Sequence, residues 1–285
     1  MGRIDEALKR TSGSATGIPA PSGQQFSAAW TVTDDEPRRE TGAPATALAS
    51  RDAMPSGGMV SFSSRWKERL AAGPDSHLGL TEQFRRLAAT LHHAHLASGL
   101  KDVMLTSAAP GDGKTLTAVN LALVLADSYR YRVLLIDADL RRPSIPNVGN
   151  PGDGCGLSDA LTSSTEQKLA LVAITSRLTL LPAGRPISNS IEALTSPRMR
   201  QILDEARQRF DWVILDAPPI GPATDARLLA QMVGGTLFVI RAGQTQSPDS
   251  QKAIDALGRE QILGVVLNGV DDTGADDYYY GPAKD

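Results

Sequence analysis

Short apolar runs alternate with amphipathic stretches over the last two thirds of the chain. The runs are VML at 103–105, VLLI at 133–136, LTLL at 178–181, WVIL at 212–215, TLFVI at 236–240 and ILGVVL at 262–267. Each has the length of one buried strand, whereas helical spacing dominates between them. Helices are expected directly after the first run and near 197–210, 225–232 and 249–259. This order predicts an α/β fold, with a mainly parallel central sheet in a three-layer arrangement.

A further helix is predicted from about Leu78 to Leu96, just before the first strand. Its apolar positions recur at helical spacing and are Leu80, Phe84, Leu87 and Leu91. Thr81 is a suitable N-cap residue for this helix.

Three histidines, His92, His93 and His95, lie at the end of this helix. His92 and His95 are spaced so that they could hold a metal, but histidine also suits a helix C-terminus, and no Cys or carboxylate is near in sequence. We therefore expect no transition metal held by the protein.

Composition divides the chain into three parts. Residues 1–75 are rich in Ser, Thr, Gly, Pro and Ala, which favours a disordered or loosely ordered leader. Trp30 and Trp66 are exceptions there that could contact a partner. Residues 76–270 carry the alternating pattern and are predicted to form one domain, and residues 271–285 are predicted to be a flexible tail that carries tyrosines.

Charge and cysteine content exclude several classes of protein. The net charge of -3 argues against a surface that coats nucleic acid, so no nucleic-acid partner is expected. A single cysteine, Cys155, excludes an internal disulfide. No window approaches ~18 uninterrupted apolar residues, and the charged first residues do not resemble a secretory signal. A cytoplasmic location is the expectation.

The segment from Ser107 to Thr115, SAAPGDGKT, has the form of a phosphate-binding loop between a strand and a helix. Gly111 and Gly113 allow backbone N–H groups to turn towards phosphate oxygens at a helix N-terminus. Lys114 is expected to reach the β- and γ-phosphates of ATP, and Thr115 to offer its hydroxyl to Mg²⁺. The predicted nucleotide contacts are Gly111, Asp112, Gly113, Lys114, Thr115 and Leu116. A chance glycine-rich turn is the alternative, which the flanking strand and helix disfavour.

Acidic residues follow two of the predicted strands. Asp137 and Asp139 end one strand, and Asp216 ends another before Pro218-Pro219. Ligands of a parallel sheet lie at the carboxyl ends of its strands, and alternation sends Asp137 and Asp139 the same way. Grouped carboxylates favour Mg²⁺, with Thr115, Asp139 and Asp216 as the predicted metal set. For Asp216 alone, a cap or turn role is the alternative.

Two more segments are candidates for the site. Asn268 ends the last strand, where its amide is expected to meet the adenine, although an Asn-Gly pair is also an ordinary turn. Tyr278, Tyr279 and Tyr280 form a run between Asp276-Asp277 and Gly281-Pro282, which makes burial of the tyrosines unfavourable. An accessible phospho-acceptor tail is predicted, with a docking peptide as the alternative.

The motifs PGDGKT, LLIDADLRRP and WVILDAPPIGPATDA together resemble those of the bacterial tyrosine kinases (BY-kinases), which are polysaccharide-biosynthesis autokinases of the MinD/ParA-like P-loop class. The second motif is the discriminating one, and Asp137, Asp139 and Arg141 match it. Partition ATPases of the MinD type carry an extra lysine where this chain has Ala109. The resemblance covers about residues 80–280 and implies a three-layer P-loop NTPase fold.

The resemblance also implies partners. The family uses a helical Glu-x-x-Arg-x-x-Arg pattern in ring assembly; Glu82 and Arg85 match it, whereas Ala88 departs from it and Arg86 is the second arginine. A homo-oligomer is expected on this basis, together with a membrane polysaccharide co-polymerase as activator and a tyrosine phosphatase. The chain is expected to lie at the inner face of the membrane through that partner.

The implied function is an ATP- and Mg²⁺-dependent tyrosine autokinase that phosphorylates its own tail, mainly between subunits, and regulates exopolysaccharide or capsule synthesis and export. Lys114, Asp137, Asp139 and Asp216 are the expected catalytic residues. Asp137 is assigned to accept or orient the tyrosine proton, a role that it could exchange with Asp139. The alternatives are a P-loop ATPase switch without kinase activity that docks on a membrane partner, a partition-type ATPase, and a structural adaptor.

Overall fold

The structure, a computed structural model, describes residues 30–32, 66, 69–71, 78–143, 145, 155–165, 169–221 and 224–270. Most of the expected leader and the whole expected tail, with Tyr278, Tyr279 and Tyr280, lie outside the described residues. The division into leader, domain and tail therefore stays a prediction.

Eight strands of the described chain form one sheet, in the order β1-β4-β5-β3-β6-β2-β7-β8. They are β1 (Trp30–Val32), β2 (Asp102–Ser107), β3 (Val133–Asp137), β4 (Leu169–Ala173), β5 (Leu178–Leu181), β6 (Trp212–Asp216), β7 (Thr236–Arg241) and β8 (Ile262–Asn268). The β4–β5 pair is antiparallel, and the other neighbours pair in parallel. The prediction of a mainly parallel sheet is confirmed.

Helices cover both faces of this sheet. They are α1 (Leu78–Ser98), α2 (Lys114–Asp127), α3 (Leu157–Thr162), α4 (Ser190–Thr195), α5 (Pro197–Arg209), α6 (Asp225–Ala230) and α7 (Ser247–Leu257). Along β3, Leu134 and Ile136 pack into a core with α3 to α7, whereas Val133 and Leu135 pack into a core with α1 and α2. Because neighbouring strand residues enter opposite cores, the predicted three-layer α/β arrangement is confirmed.

Local sequence explains why α5 begins where it does. The Ser196 hydroxyl accepts a hydrogen bond from the Met199 N–H at 3.3 Å, and Pro197 occupies the first turn, where a missing N–H costs nothing. The helix ends at Arg209, in agreement with the predicted range of 197–210.

The prediction that Thr81 is the N-cap of α1 is wrong. The helix begins at Leu78, and Thr81 lies within it, where its hydroxyl donates a hydrogen bond to the carbonyl of Ala71 at 2.8 Å. Ala71 is fully buried and Leu70 nearly so. Thr81 therefore fastens a preceding stretch of chain to α1, which the sequence of the helix could not reveal.

Two of the histidines on α1 have partners in the protein. Nδ1 of His92 lies 2.6 Å from the Tyr131 hydroxyl, and Nδ1 of His95 donates to the carbonyl of Leu100 at 2.7 Å. These contacts join the end of α1 to the segments that lead into β3 and β2.

The sheet brings three strand ends to one edge. β2, β3 and β6 are neighbours, and Asp137 pairs in register with Asp216. Parallel strands end at the same edge, so the loop after Ser107 lies beside both carboxylates. In the described part of the chain no helix is both long and apolar enough to cross a membrane.

Candidate nucleotide-binding site

The loop between β2 and α2 has the backbone that a phosphate cradle requires. Gly111 and Gly113 have φ of +92° and +94°, in the left-handed region that side chains rarely adopt. Gly113 is the N-cap residue of α2 and has no side chain, so the first N–H groups of the helix remain for another acceptor. A helix N-terminus of this kind favours phosphate.

Asn268 braces this loop from the end of β8. Its Nδ2 donates to the carbonyl of Asp112 at 2.9 Å, and a Cβ added to Gly113 would lie 1.8 Å from the same nitrogen. A glycine is therefore required at position 113 both by its φ and by the close approach of Asn268. The adenine contact that the sequence assigns to Asn268 stays a prediction.

The side chain of Asp112 is used within the protein. It is buried, and its carboxylate accepts hydrogen bonds from the Ala109 N–H at 3.0 Å and from the Thr245 hydroxyl at 2.7 Å. Nη1 of Arg241 donates to the carbonyl of Gly111 at 3.0 Å. Thr245 and Arg241 were missed by sequence reasoning, since no local motif marks them.

A cluster of opposite charges lies at the base of the loop. Nζ of Lys114 is 3.5 Å from Oδ2 of Asp139 and 3.6 Å from Oδ1 of Asp216. All three residues are buried. Residues far apart in sequence therefore converge on one point, as the motifs predicted, and the lysine offsets part of the negative charge of both carboxylates.

Asp137 differs from Asp139 in its contacts. Its carboxylate accepts hydrogen bonds from the Asp139 N–H at 3.2 Å and from the Ile145 N–H at 3.0 Å. The strand ends at Asp137, so the alternation expected for Asp137 and Asp139 does not continue to Asp139. Asp137 holds the following loop with both oxygens, whereas Asp139 accepts one N–H bond from that loop, from Arg142 at 3.1 Å, and its other oxygen faces Lys114.

A cavity of about 770 Å³ opens over the loop. Its lining includes seven of the predicted site residues, Gly111, Gly113, Lys114, Thr115, Leu116, Asp139 and Asn268. Four arginines also line it, namely Arg69, Arg141, Arg142 and Arg241, together with Trp66. The size of the cavity and its cationic rim suit a nucleoside polyphosphate.

Arg141 is fixed by contacts with residues of α4 and α6. Its Nε donates to Oγ of Ser190 at 2.7 Å and to the buried carboxylate of Asp225 at 2.9 Å. The Ser190 hydroxyl donates to the same carboxylate at 2.6 Å. Arg141 of the second motif therefore connects the cavity to α4 and α6.

The donor set fits Mg²⁺. Thr115, Asp139 and Asp216 offer hard oxygen atoms, whereas no three His, Cys, Asp or Glu side chains among the described residues form a metal-binding group. Mg²⁺ is commonly held by one or two carboxylates together with water and substrate phosphates, so two carboxylates beside a phosphate cradle are sufficient.

Strand, glycine loop, lysine, helix and acidic strand ends on a mainly parallel sheet define a P-loop nucleotide-binding protein. A family model described as an AAA domain matches residues 101–231.

Comparison with known proteins gives the family. The chain is 35% identical over 208 residues to the tyrosine-protein kinase YwqD of Bacillus subtilis, a match that covers 72% of this chain and 87% of YwqD. The kinase domain of the Escherichia coli tyrosine kinase ETK superposes with a TM-score of 0.63 at 33% identity, covering 71% of this chain and 80% of that domain. The chain belongs to the bacterial tyrosine kinases, which confirms the resemblance carried by its motifs.

A third relative is longer than this chain. The chain is 33% identical over 196 residues to the succinoglycan biosynthesis transport protein ExoP of Rhizobium meliloti. The match covers 67% of this chain and 25% of ExoP.

Proposed function

We propose that this bacterial tyrosine kinase transfers the γ-phosphoryl group of ATP, with Mg²⁺, to the hydroxyls of Tyr278, Tyr279 and Tyr280, mainly between subunits. The observation that carries the proposal is the convergence of Lys114, Asp139 and Asp216 under the phosphate loop of a chain that belongs to this family. The run of tyrosines between acidic and Gly-Pro residues supports the choice of acceptor.

The phosphate loop binds and orients the nucleotide. Backbone N–H groups from Gly111 to Thr115 and the ammonium group of Lys114 hold the phosphates, while Asn268, Asp112 and Arg241 keep the loop in shape. Catalysis of phosphoryl transfer depends mostly on positioning and on charge neutralisation, both of which this loop supplies.

Thr115, Asp139 and Asp216 would hold Mg²⁺. When bound, the ion supplies positive charge to the phosphate oxygens on which negative charge accumulates. The proximity of Lys114 to both carboxylates places a second positive charge in the same region.

The tyrosine hydroxyl loses its proton as its oxygen forms the new bond to phosphorus, and the bond between the γ-phosphorus and the bridging oxygen breaks to release ADP. The sequence assigned the proton to Asp137 or, by exchange, to Asp139. Since Asp139 is assigned to Mg²⁺, the proton is assigned to Asp137, each of whose oxygens accepts one backbone N–H bond and keeps a second lone pair. A carboxylate within reach of the hydroxyl is the required chemistry.

The proposed biological role is control of exopolysaccharide or capsule synthesis and export. It rests on the family and on the name of ExoP, a succinoglycan biosynthesis transport protein. In this role the kinase assembles as a homo-oligomer and is activated by a membrane polysaccharide co-polymerase at the inner face of the membrane. A tyrosine phosphatase removes the phosphate from its tyrosines.

The first prediction tests the activity directly. Purified chain incubated with Mg-ATP is expected to acquire phosphate on Tyr278, Tyr279 or Tyr280, and Lys114→Met is expected to lose it because the phosphates lose their cation. Mass spectrometry of the digested chain maps the sites, and a variant with all three tyrosines changed to Phe is the acceptor control.

Mixing experiments separate the two routes of transfer. Lys114→Met carries intact tyrosines, so the unmodified kinase domain of the triple Phe variant should phosphorylate it in trans. ATP hydrolysis without phosphotyrosine, even with a membrane activator present, would instead identify a P-loop ATPase switch and would remove the kinase proposal.

A further inference from the structure

Trp66 and Arg69 line the cavity that contains the phosphate loop, although both precede the domain predicted from residue 76. Neither belongs to a nucleotide-binding motif.

Asn120 on α2 fastens this short segment to the domain. The side chain is fully buried; its Oδ1 accepts from the Ala71 N–H at 2.6 Å, and its Nδ2 donates to the carbonyl of Arg69 at 3.0 Å. The Ala71 carbonyl accepts from the Thr81 hydroxyl at 2.8 Å. One buried amide with both groups satisfied, together with a threonine on α1, therefore fixes the main chain of 69–71.

A turn links Trp66 to this anchor. The Arg69 N–H donates to the carbonyl of Trp66 at 2.9 Å, so the position of Trp66 follows from that of Arg69. Trp66 is partly buried and packs against the core formed with α1 and α2. Asn120 is four residues after Leu116, which lines the cavity, so both lie on one face of α2. The anchored segment thus lies along the face of α2 that begins at the phosphate loop.

The phosphate loop recognises phosphates and carries no side chain suited to the flat face of a base. A partly buried indole in the same cavity has the size and the π-surface for such a contact. We infer that Trp66 is part of the nucleotide site and contacts the purine base of ATP and ADP, and that Asn120 is the residue that positions it. This inference rests on the proposed nucleotide binding and extends it to residues outside the P-loop motifs.

Two ligands, one with a nucleoside and one made of phosphate groups alone, separate the parts of the site. Isothermal titration calorimetry is carried out on the full chain with Mg-ADP and with Mg-tripolyphosphate. Trp66→Ala is expected to weaken Mg-ADP binding about tenfold, the effect of losing one stack between a base and an aromatic ring, and to leave Mg-tripolyphosphate binding unchanged. Trp66→Phe should recover most of the affinity, since a ring is restored.

Trp30→Ala is the matched control, because it removes the same side chain from another part of residues 1–75 and should not change either affinity. Asn120→Ala should weaken the binding of Mg-ADP and leave the binding of Mg-tripolyphosphate unchanged. Added to Trp66→Ala, it should weaken Mg-ADP binding little further, because a positioning residue acts through the residue that it positions. A thermal melt of each variant shows that it is folded at the temperature of the titration.

Three results would overturn the inference. They are unchanged Mg-ADP affinity in Trp66→Ala, an equal loss for Mg-ADP and Mg-tripolyphosphate, and additive effects of Trp66→Ala and Asn120→Ala. In all three cases, nucleotide binding that depends on Lys114 would leave the proposed function standing. If the unmodified chain binds neither ligand, both the inference and the proposed function fail.

Discussion

At the scale of single residues, two neighbouring carboxylates have different tasks. Asp137 accepts two backbone N–H bonds within the loop that follows β3, whereas Asp139 lies 3.5 Å from the ammonium group of Lys114 and lines the cavity. The motif identifies both as acidic residues near phosphate, and their contacts separate an anchor of the backbone from a group that faces the ligand.

This difference predicts that Asp137→Asn destabilises the protein more than Asp139→Asn does. In the first variant an amide NH₂ meets one of the two backbone N–H groups, which should lower the free energy of unfolding by about 1–3 kcal/mol. Asp139→Asn keeps an oxygen for the Arg142 N–H and leaves Asp216 beside Lys114, so stability should change by less than about 1 kcal/mol. Urea unfolding followed by circular dichroism measures both.

For the dependence of ADP binding on Mg²⁺, the larger effect is expected from Asp139→Asn. Asp139→Asn is expected to raise the Mg²⁺ concentration needed for tight ADP binding, because a proposed metal ligand loses its charge. If Asp137→Asn keeps full stability but loses the Mg²⁺ dependence, Asp137 is the metal ligand and the assignment of the two carboxylates is reversed.

At the scale of elements, Arg207 joins α5 to the sheet. Its Nε donates to Oδ2 of Asp102 at 3.0 Å, its Nη1 donates to Asp204 at 2.7 Å, and its Nη2 donates to the carbonyl of Met232. Partial burial alone lowers the pKa of Arg207, but the hydrogen bonds to Asp102 and Asp204 outweigh it and raise that pKa above its ordinary value. One charged group therefore holds together helix α5, the start of β2 and the chain before β7.

Arg207→Met should lower the free energy of unfolding by about 2 kcal/mol, because Asp102 is left buried without its counter-charge. The loss is smaller than for a fully buried pair, since 29% of the arginine side-chain surface is exposed. Chemical unfolding measures the change, and Arg200→Met, an exposed arginine on the same helix, is the control.

A second substitution distinguishes the ion pair from the packing of the arginine stem. Adding Asp102→Asn to Arg207→Met should cost little more, because the uncompensated charge is gone. Two fully additive losses would show that the pair does not act as a unit.

At the scale of the whole molecule, α1 presents charge outward and small residues inward. Glu82 lies 3.9 Å from both Arg85 and Arg86, and all three side chains are about half exposed. Ala88 is fully buried. An arginine at position 88 would have to enter the core, so the second exposed arginine of this helix occupies position 86 instead.

If the outward face of α1 carries the assembly that the family resemblance implies, Glu82→Lys should lower the mass of the oligomer towards the 30.2 kDa of one chain. Charge reversal beside Arg85 and Arg86 replaces attraction by repulsion. A sizing column with light scattering measures the mass, and Glu260→Lys, an exposed charge reversal near β8, is the control.

The effect of phosphorylation on the mass of the oligomer can be measured in the same way. Up to about two negative charges on each of Tyr278, Tyr279 and Tyr280 should repel the tail from a site that holds the anionic nucleotide, and should change the mass distribution. An identical distribution for the phosphorylated chain and its triple Phe variant, or for Glu82→Lys and the unmodified chain, would contradict assembly control by these groups.

The sequence by itself determined the layers of the fold and the centre of the site. Strand runs, helical spacing and the spacing of Gly111, Gly113 and Lys114 are local properties, and parallel strands end at one edge of a sheet. The meeting of Lys114 with Asp139 and Asp216 follows from those rules.

Only the tertiary structure decided which residues support that centre. Asn268 reaches the phosphate loop across 156 positions of sequence, and Thr245 reaches Asp112 across 133. Asn120 places Trp66 and Arg69 at the cavity, although the composition around them favours a loosely ordered leader. Such contacts depend on which surfaces the folded sheet and helices bring together, and no local pattern of hydrophobicity or spacing encodes that proximity.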